Sequence, residues 1–436
     1  MAASAPDPTA PDPTAPDPTA PDPTAPDPAA TDPLATDPEI AALLESEATR
    51  RRGSLQMLAA ESSATSAVRA AVGSILADKY AEGYPGHRYH GGVEVVDEVE
   101  ELAISRAAAL FGADYVNVQP LSWALANFAV YAAFSQPGDQ VLSLSLKHGG
   151  HQSHGSRANL SGRWFSVLNY GVRPDTERID YDQIRELALI HRPRILVAGG
   201  TSYSRAWDFA AMRTIADEAG CVLWVDAAHI AGLAVGGVLE SPVPYADVVT
   251  VATNKVMRGP RGGLLLARAE HAESLSRAVY PFMQGAPAMH SIAAKAVAFA
   301  ECARPEYAEY ARAVADNAST LAAALDERGL RVVSGGTDTH LAVVEVSSAG
   351  ISGREAARRL AACRMIVDKA VTPFDEAPIT EGSAIRFGSA VLAADGLRPG
   401  QMPAIADLML EAMHTDGDDT ARQAAIAREV AALGER

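Results

Sequence analysis

The stretch FAAMRTIADEAGCVLWVDAAH, residues 209–229, sets a helix directly before a strand. The strand CVLWV has no polar alternation, so it is buried on both faces. It delivers a carboxylate, Asp226, and an imidazole, His229, at its carboxyl end. The same kind of unit recurs on either side. Upstream lie YVNVQP (115–120), a helix near 124–134, QVLSLSL (140–146), RWFSVLNY (163–170), the helix DYDQIRELALIHRP (180–193) and RILVAGG (194–200). Downstream come ADVVTVAT (246–253) and GGLLLARA (262–269). Short Val/Leu-rich strands joined by helical crossovers predict an open, mostly parallel α/β sheet.

The flanks are of a different kind. EIAALLESEATRRR (39–52) has helical apolar spacing, and VEVVDEVEELAISRAAALFGA (93–113) predicts a longer amphipathic helix. Val96, Val99, Leu102, Ala103 and Leu110 fall on its apolar face. Past Met289 the pattern is helical to about Gly329. Strands LRVVSGG, LAVVEVS, MIVDKAV and AIRFGSA then mix with helices in a smaller α+β lobe. The expected division is a tail at 1–38, a helical arm at 39–65, a large α/β domain at 66–300 and a small domain at 301–436.

The tail repeats APDPT. Its alternating prolines forbid helix and ladder alike, which predicts a disordered acidic extension. With 37 basic against 54 acidic residues, the net charge is -17, which speaks against nucleic acid or an anionic membrane as partner. No apolar run approaches the roughly 20 residues of a membrane span, and the N-terminus lacks the layout of a secretory signal. Cys221, Cys302 and Cys363 are far apart, without metal-ligand spacing. A cytoplasmic protein without disulfides or a zinc site is expected.

In open α/β sheets ligands bind beyond the carboxyl ends of the strands. Thr201, Asp226, His229 and Lys255 all fall at such ends. Two readings of Lys255 are open from position alone: a solvent-facing lysine, or a desolvated amine able to attack a carbonyl. Asp226 bears on the choice, because a carboxylate leaving a buried strand needs a cationic or hydrogen-bonding partner. The protonated ring nitrogen of pyridoxal phosphate is one such partner, with a lysine holding the aldehyde as a Schiff base. His148, His151 and His154 in KHGGHQSHG are spaced by three, as metal ligands can be, but the intervening glycines argue against an aligning helix. A ring stacked on a flat cofactor suits them better, and no metal is expected. SWALAN (122–127) follows a strand and opens a helix, where free N–H groups of Ser122, Trp123 and Ala124 could take a phosphate. Arg386 in SAIRFGSA reads either as a surface ion pair or as a fork for a substrate carboxylate. The loop KYAEGYPGHRYHGG (79–92) is too polar for core and too aromatic for a linker.

Taken together, KYAEGYPGHRYHGG, VDEVEELA, HGGHQSHG, SPVPYADVVT, RGPRGG and MHSIAAKAVAF resemble serine hydroxymethyltransferases, in the family's order and over nearly the whole chain after the tail. The resemblance implies the aspartate-aminotransferase-like fold type I and pyridoxal phosphate as cofactor. By resemblance Lys255 would carry the cofactor, Asp226 face its ring nitrogen and His151 stack on the ring. Thr201 and His229 would stand at its hydroxyl, and Ser122, Trp123 and Ala124 at its phosphate. Asn254 takes the place of the family's histidine before the lysine. Tyr80 and Glu82 would reach in from a second subunit, Tyr80 to phosphate and Glu82 to the substrate hydroxyl. Gly262 and Gly263 would close on phosphate across an obligate homodimer interface. Arg386 would grip the amino-acid carboxylate, beside Tyr89 and His90.

The departures matter as well. His90 replaces a second tyrosine, Trp123 a glycine of the phosphate turn, Gln152 a leucine against folate, and Ala370 an asparagine that holds the pterin. Losing a polar partner weakens a site built to hydrogen-bond its ligand. Glu82, Tyr89 and Leu146 of the folate pocket remain. These changes favour a folate-independent relative, an L-threonine transaldolase of specialised metabolism that moves a glycyl unit from threonine to another aldehyde. The alternative is a divergent serine/glycine hydroxymethyltransferase that uses tetrahydrofolate.

Overall fold

The computed structural model describes residues 36–376, 378 and 380–434. The proline-rich repeat up to residue 35, and with it all but the last three residues of the expected tail, lies outside the described residues. The arm forms a helix, Pro38–Arg52, started by the Asp37 carboxylate, which accepts the Ile40 N–H at 3.1 Å.

From Arg52 onward the described residues make one compact unit built on a seven-stranded sheet. Its strands in chain order are β1 (Tyr115–Asn117), β2 (Gln140–Leu144), β3 (Ser166–Tyr170), β4 (Ile195–Ala198), β5 (Val222–Asp226), β6 (Val248–Ala252) and β7 (Gly263–Ala267). They lie in the order β1-β7-β6-β5-β4-β2-β3. The pairs from β3 to β6 are parallel, and β7 runs against both β6 and β1. The mostly parallel α/β sheet is therefore as expected.

The apolar runs are explained by burial on both faces. Leu196, Leu223, Val225 and Val249 enter one cluster, whereas Ile195, Val197, Trp224 and Val248 enter another with Val130, Tyr131 and Phe134. The opening stretch behaves accordingly. Asp208 caps the helix Phe209–Ala219 by accepting the Ala211 N–H at 2.8 Å, and Gly220 ends it at φ 68°. Phe209, Met212, Ile215, Ala216 and Ala219 form its buried stripe. The helix Glu94–Phe111 buries Val96 and Ala103, but Leu102 stays 44% exposed, off the face assigned to it from sequence.

The smaller sheet has strands β8 (Leu341–Glu345), β9 (Asp368–Ala370) and β10 (Ala384–Gly388), with β10 central and antiparallel to both. LRVVSGG does not become a strand. Only Val332 bridges to Val344, because Ser334, Gly335 and Gly336 all take positive φ and turn the chain away. MIVDKAV divides: Met365–Ile366 pairs with Leu55–Gln56, leaving β9 as the edge of the small sheet. No described helix is long and apolar enough to cross a membrane.

Candidate active site

The ends of β4, β5 and β6 bring Thr201, Asp226 and Lys255 to one crevice. Asp226 is 5% exposed, and each of its oxygens accepts two hydrogen bonds. Oδ1 takes Trp123 Nε1–H at 2.9 Å and the Ala228 N–H at 3.0 Å. Oδ2 takes Asn127 Nδ2–H at 2.9 Å and His154 Nε2 at 2.8 Å. Burial alone would raise the Asp226 pKa, but the hydrogen bond from His154 leads the effects that hold it below the ordinary carboxylate range. The carboxylate is thus kept ionised in an apolar interior. Among the described residues no set of three or more His, Cys, Asp and Glu could hold a metal ion.

Lys255 is buried, and its Nζ makes no hydrogen bond among the described residues. It lies 4.6 Å from the centre of the Trp123 ring. Burial pushes the amine pKa down to about 7, Asp226 partly opposing and Arg386 adding to the shift. With the pKa lowered, the neutral nucleophilic amine predominates once pH rises past about 7. Reductive alkylation of Lys255 in cofactor-free protein should therefore climb through that pH, whereas an ordinary lysine needs about 10.4. Labelling that starts only above about pH 9 would contradict this environment.

His151 packs on Trp123 with ring centres 4.3 Å apart, and its Nδ1 accepts the Ser153 N–H at 3.0 Å. Burial, then His154, pushes its pKa to about 3, so the ring is neutral with its proton on Nε2. His148 is elsewhere, with Nδ1 accepting the Val172 N–H at 3.0 Å. His229 is likewise neutral, burial driving its pKa far down. Behind it His340, unnoticed in the sequence, stacks at 5.2 Å and places Nε2 3.1 Å from the Ala59 carbonyl. That carbonyl can only accept, so His340 carries its proton on Nε2, 3.2 Å from His229 Nδ1. His229 Nδ1 is then an acceptor, and its Nε2–H is left to donate to Thr201 Oγ1 at 3.2 Å.

Arg386 is neither free nor a surface pair. Nη1 donates to the Thr201 carbonyl at 2.6 Å, while Nε at 3.1 Å and Nη2 hold Asp368 Oδ2. Ser122 caps the helix Trp123–Phe134, its Oγ accepting the Leu125 N–H at 3.2 Å, so Trp123 and Ala124 stand at an open helix end. Gly263 lies so close to this turn that a Cβ would sit 2.5 Å from the Ser122 carbonyl oxygen. Beneath it, buried Lys295 donates to the carbonyls of Val118, Pro120 and Gly263 at 2.5, 3.1 and 2.8 Å. A Cβ at Gly262 would come within 2.5 Å of Lys295 Cε. Asn254 is half-buried beside Lys255.

Tyr80, Glu82, Tyr89 and His90 form a separate cluster. His90 Nε2 is 3.7 Å from Glu82, and both tyrosine rings stand edge-on to His90. Tyr80 and Tyr89 are exposed, and among the described residues no hydrogen bond or ring contact joins this cluster to Lys255, Asp226 or Arg386. Reading the sequence residue by residue missed Asn127, Ser153, His340, Asp368 and Lys295. The one available signal was Asp226 itself, since a carboxylate at the end of a buried strand demands several donors.

The donor set fits pyridoxal phosphate at two points: a buried amine without an acceptor among the described residues, and an ionised carboxylate across the same slot. Trp123, whose indole lies between them, is the exception. Residues 34–409 match the family model for serine hydroxymethyltransferase. The serine hydroxymethyltransferase of Coprothermobacter proteolyticus is 48% identical over 380 residues, 87% of this chain and 92% of that protein. That of Acidobacterium capsulatum is 47% identical over 375 residues, 86% and 88% of the two chains. That of Zymomonas mobilis is 46% identical over 404 residues, 91% and 94%. The chain belongs to the serine hydroxymethyltransferase family, pyridoxal-phosphate-dependent transferases of fold type I.

Proposed function

We propose that this protein transfers the hydroxymethyl group between serine and glycine with a reduced folate as acceptor, acting as a cytoplasmic homodimer. The observation that carries the reading is the near-full-length identity to proteins named for that reaction, on a chain that keeps Lys255, Asp226 and Arg386 around one crevice. Transfer of a glycyl unit from threonine, the first expectation from the sequence, gains no support from those relatives.

Pyridoxal phosphate, when bound, supplies an electron sink for the pair released at Cα. The rest is the work of the chain's own groups. Lys255, its pKa lowered to about 7, presents a large neutral amine fraction near neutral pH, and Asp226 an ionised carboxylate that can hold a ring N–H. His229 Nε2–H fixes Thr201 Oγ1 as an acceptor and leaves the threonine's own proton free to donate. Arg386 binds the amino-acid carboxylate, which has to share or displace Asp368 from the guanidinium fork. Glu82 from a second copy, with Tyr89 and His90 near it, serves the substrate hydroxyl. Tyr80, Gly262 and Gly263 serve the phosphate.

Turnover of purified protein distinguishes the acceptors. Serine consumption that requires tetrahydrofolate, with little acetaldehyde from threonine, is the expected result. Folate-independent acetaldehyde release from threonine, faster than serine cleavage, would instead restore the glycyl-transfer reading.

A further inference from the structure

The indole of Trp123 makes three contacts around the crevice. Its Nε1–H donates to Asp226 at 2.9 Å, its ring packs on His151 at 4.3 Å, and Lys255 Nζ lies over it at 4.6 Å. A flat aromatic ring bearing an N–H, set between an ionised carboxylate, an imidazole and an amine, duplicates what a pyridinium aldehyde needs from the same three residues. A carboxylate has about four acceptor positions, and Asp226 has all of them filled. A ring N–H can bind Asp226 only if an existing donor leaves.

Three of the four donors are fixed. The Ala228 N–H is backbone, Asn127 is fully buried within its helix, and His154 is 2% exposed. Trp123 alone is only half-buried, on a rotatable side chain at the first position of a helix.

We propose that Trp123 is a plug of the cofactor slot, holding Asp226 and covering Lys255 in the empty enzyme and swinging out as pyridoxal phosphate enters. The proposal rests on the cofactor reading above. The indole and the cofactor compete for one carboxylate oxygen, so apparent cofactor affinity is the intrinsic affinity reduced by the fraction of molecules with the plug open. A plug closed in nine molecules of ten costs about tenfold in affinity.

The test is a titration of cofactor-free protein with pyridoxal phosphate, following the visible absorbance of the lysine adduct. The melting-temperature gain at saturation is a second readout. Trp123→Gly should bind about tenfold or more tightly than the native chain and show the larger gain. Trp123→Ala, which keeps helix propensity, should do the same. Cofactor should also make a tryptophan accessible to a soluble quencher in the native chain but not in either variant. Equal or weaker binding by both variants overturns the plug and leaves the cofactor reading intact. No adduct in any of the three proteins overturns the cofactor reading, and the plug with it.

Discussion

Lys255→Ala lowers turnover of the amino acid by at least about a thousandfold, the scale seen when a unique reacting group is deleted. It also abolishes the visible absorbance of cofactor held on the protein. Every other lysine is distant in role: Lys295, for example, is consumed by three backbone carbonyls. Because Lys255 Nζ makes no hydrogen bond among the described residues, its removal orphans no acceptor there, and losing a buried amine removes a desolvation cost. The variant should therefore melt at or above the native temperature without cofactor, which separates lost chemistry from lost fold. Retention of a tenth of native turnover would show that another amine does the work.

The second large effect is on stability and lies outside the crevice. Arg88 Nη2 meets Glu100 at 2.6 Å, with both side chains 2% exposed or less. Its Nε meets Asp97 at 2.8 Å, and Nη1 donates to the carbonyls of Ala81 and Gly83. Glu100 also accepts Gln119 Nε2–H at 2.7 Å. This arrangement ties the loop carrying Glu82, Tyr89 and His90 to the helix Glu94–Phe111. Glu100→Ala leaves a buried guanidinium with half its counter-charge and should cost about 3–5 kcal/mol in denaturant unfolding. Arg88→Met combined with Glu100→Met should recover part of the loss, since it removes both buried charges and, of the charged groups, leaves only the half-buried Asp97 without its partner. A cost below about 1 kcal/mol for Glu100→Ala would mean that the pair is solvated in solution.

The same two regions mark what the sequence could and could not tell. Strands β4 to β6 were legible because burial on both faces leaves unbroken apolar runs, and Thr201, Asp226 and Lys255 follow from where those runs stop. The partners of Asp226 were not. Asn127 and His154 are 99 and 72 positions away, and only the closed sheet makes them neighbours. His340 reaches His229 across 111 positions for the same reason. Trp123 was visible as a bulky residue where the family resemblance has glycine, but a sequence does not say which way a side chain turns. LRVVSGG misled because two valines outweighed a Gly-Gly pair whose left-handed backbone ends any ladder. Leu102 was placed one face too far because helical spacing does not say how wide the covered stripe is.

The ammonium of Lys295 and the bare backbones at Gly262 and Gly263 have a consequence for anyone redesigning this protein. Position 262 cannot gain a side chain while the Lys295 stem stands 2.5 Å from where its Cβ would go. Position 263 cannot gain one without shifting the Ser122 carbonyl, and so the turn that carries Trp123. Shortening Lys295 to make room would leave three carbonyls without their donor. Sequence libraries should therefore treat 262, 263 and 295 as one coupled variable, because a single replacement at any of them crowds a neighbour or strands a carbonyl.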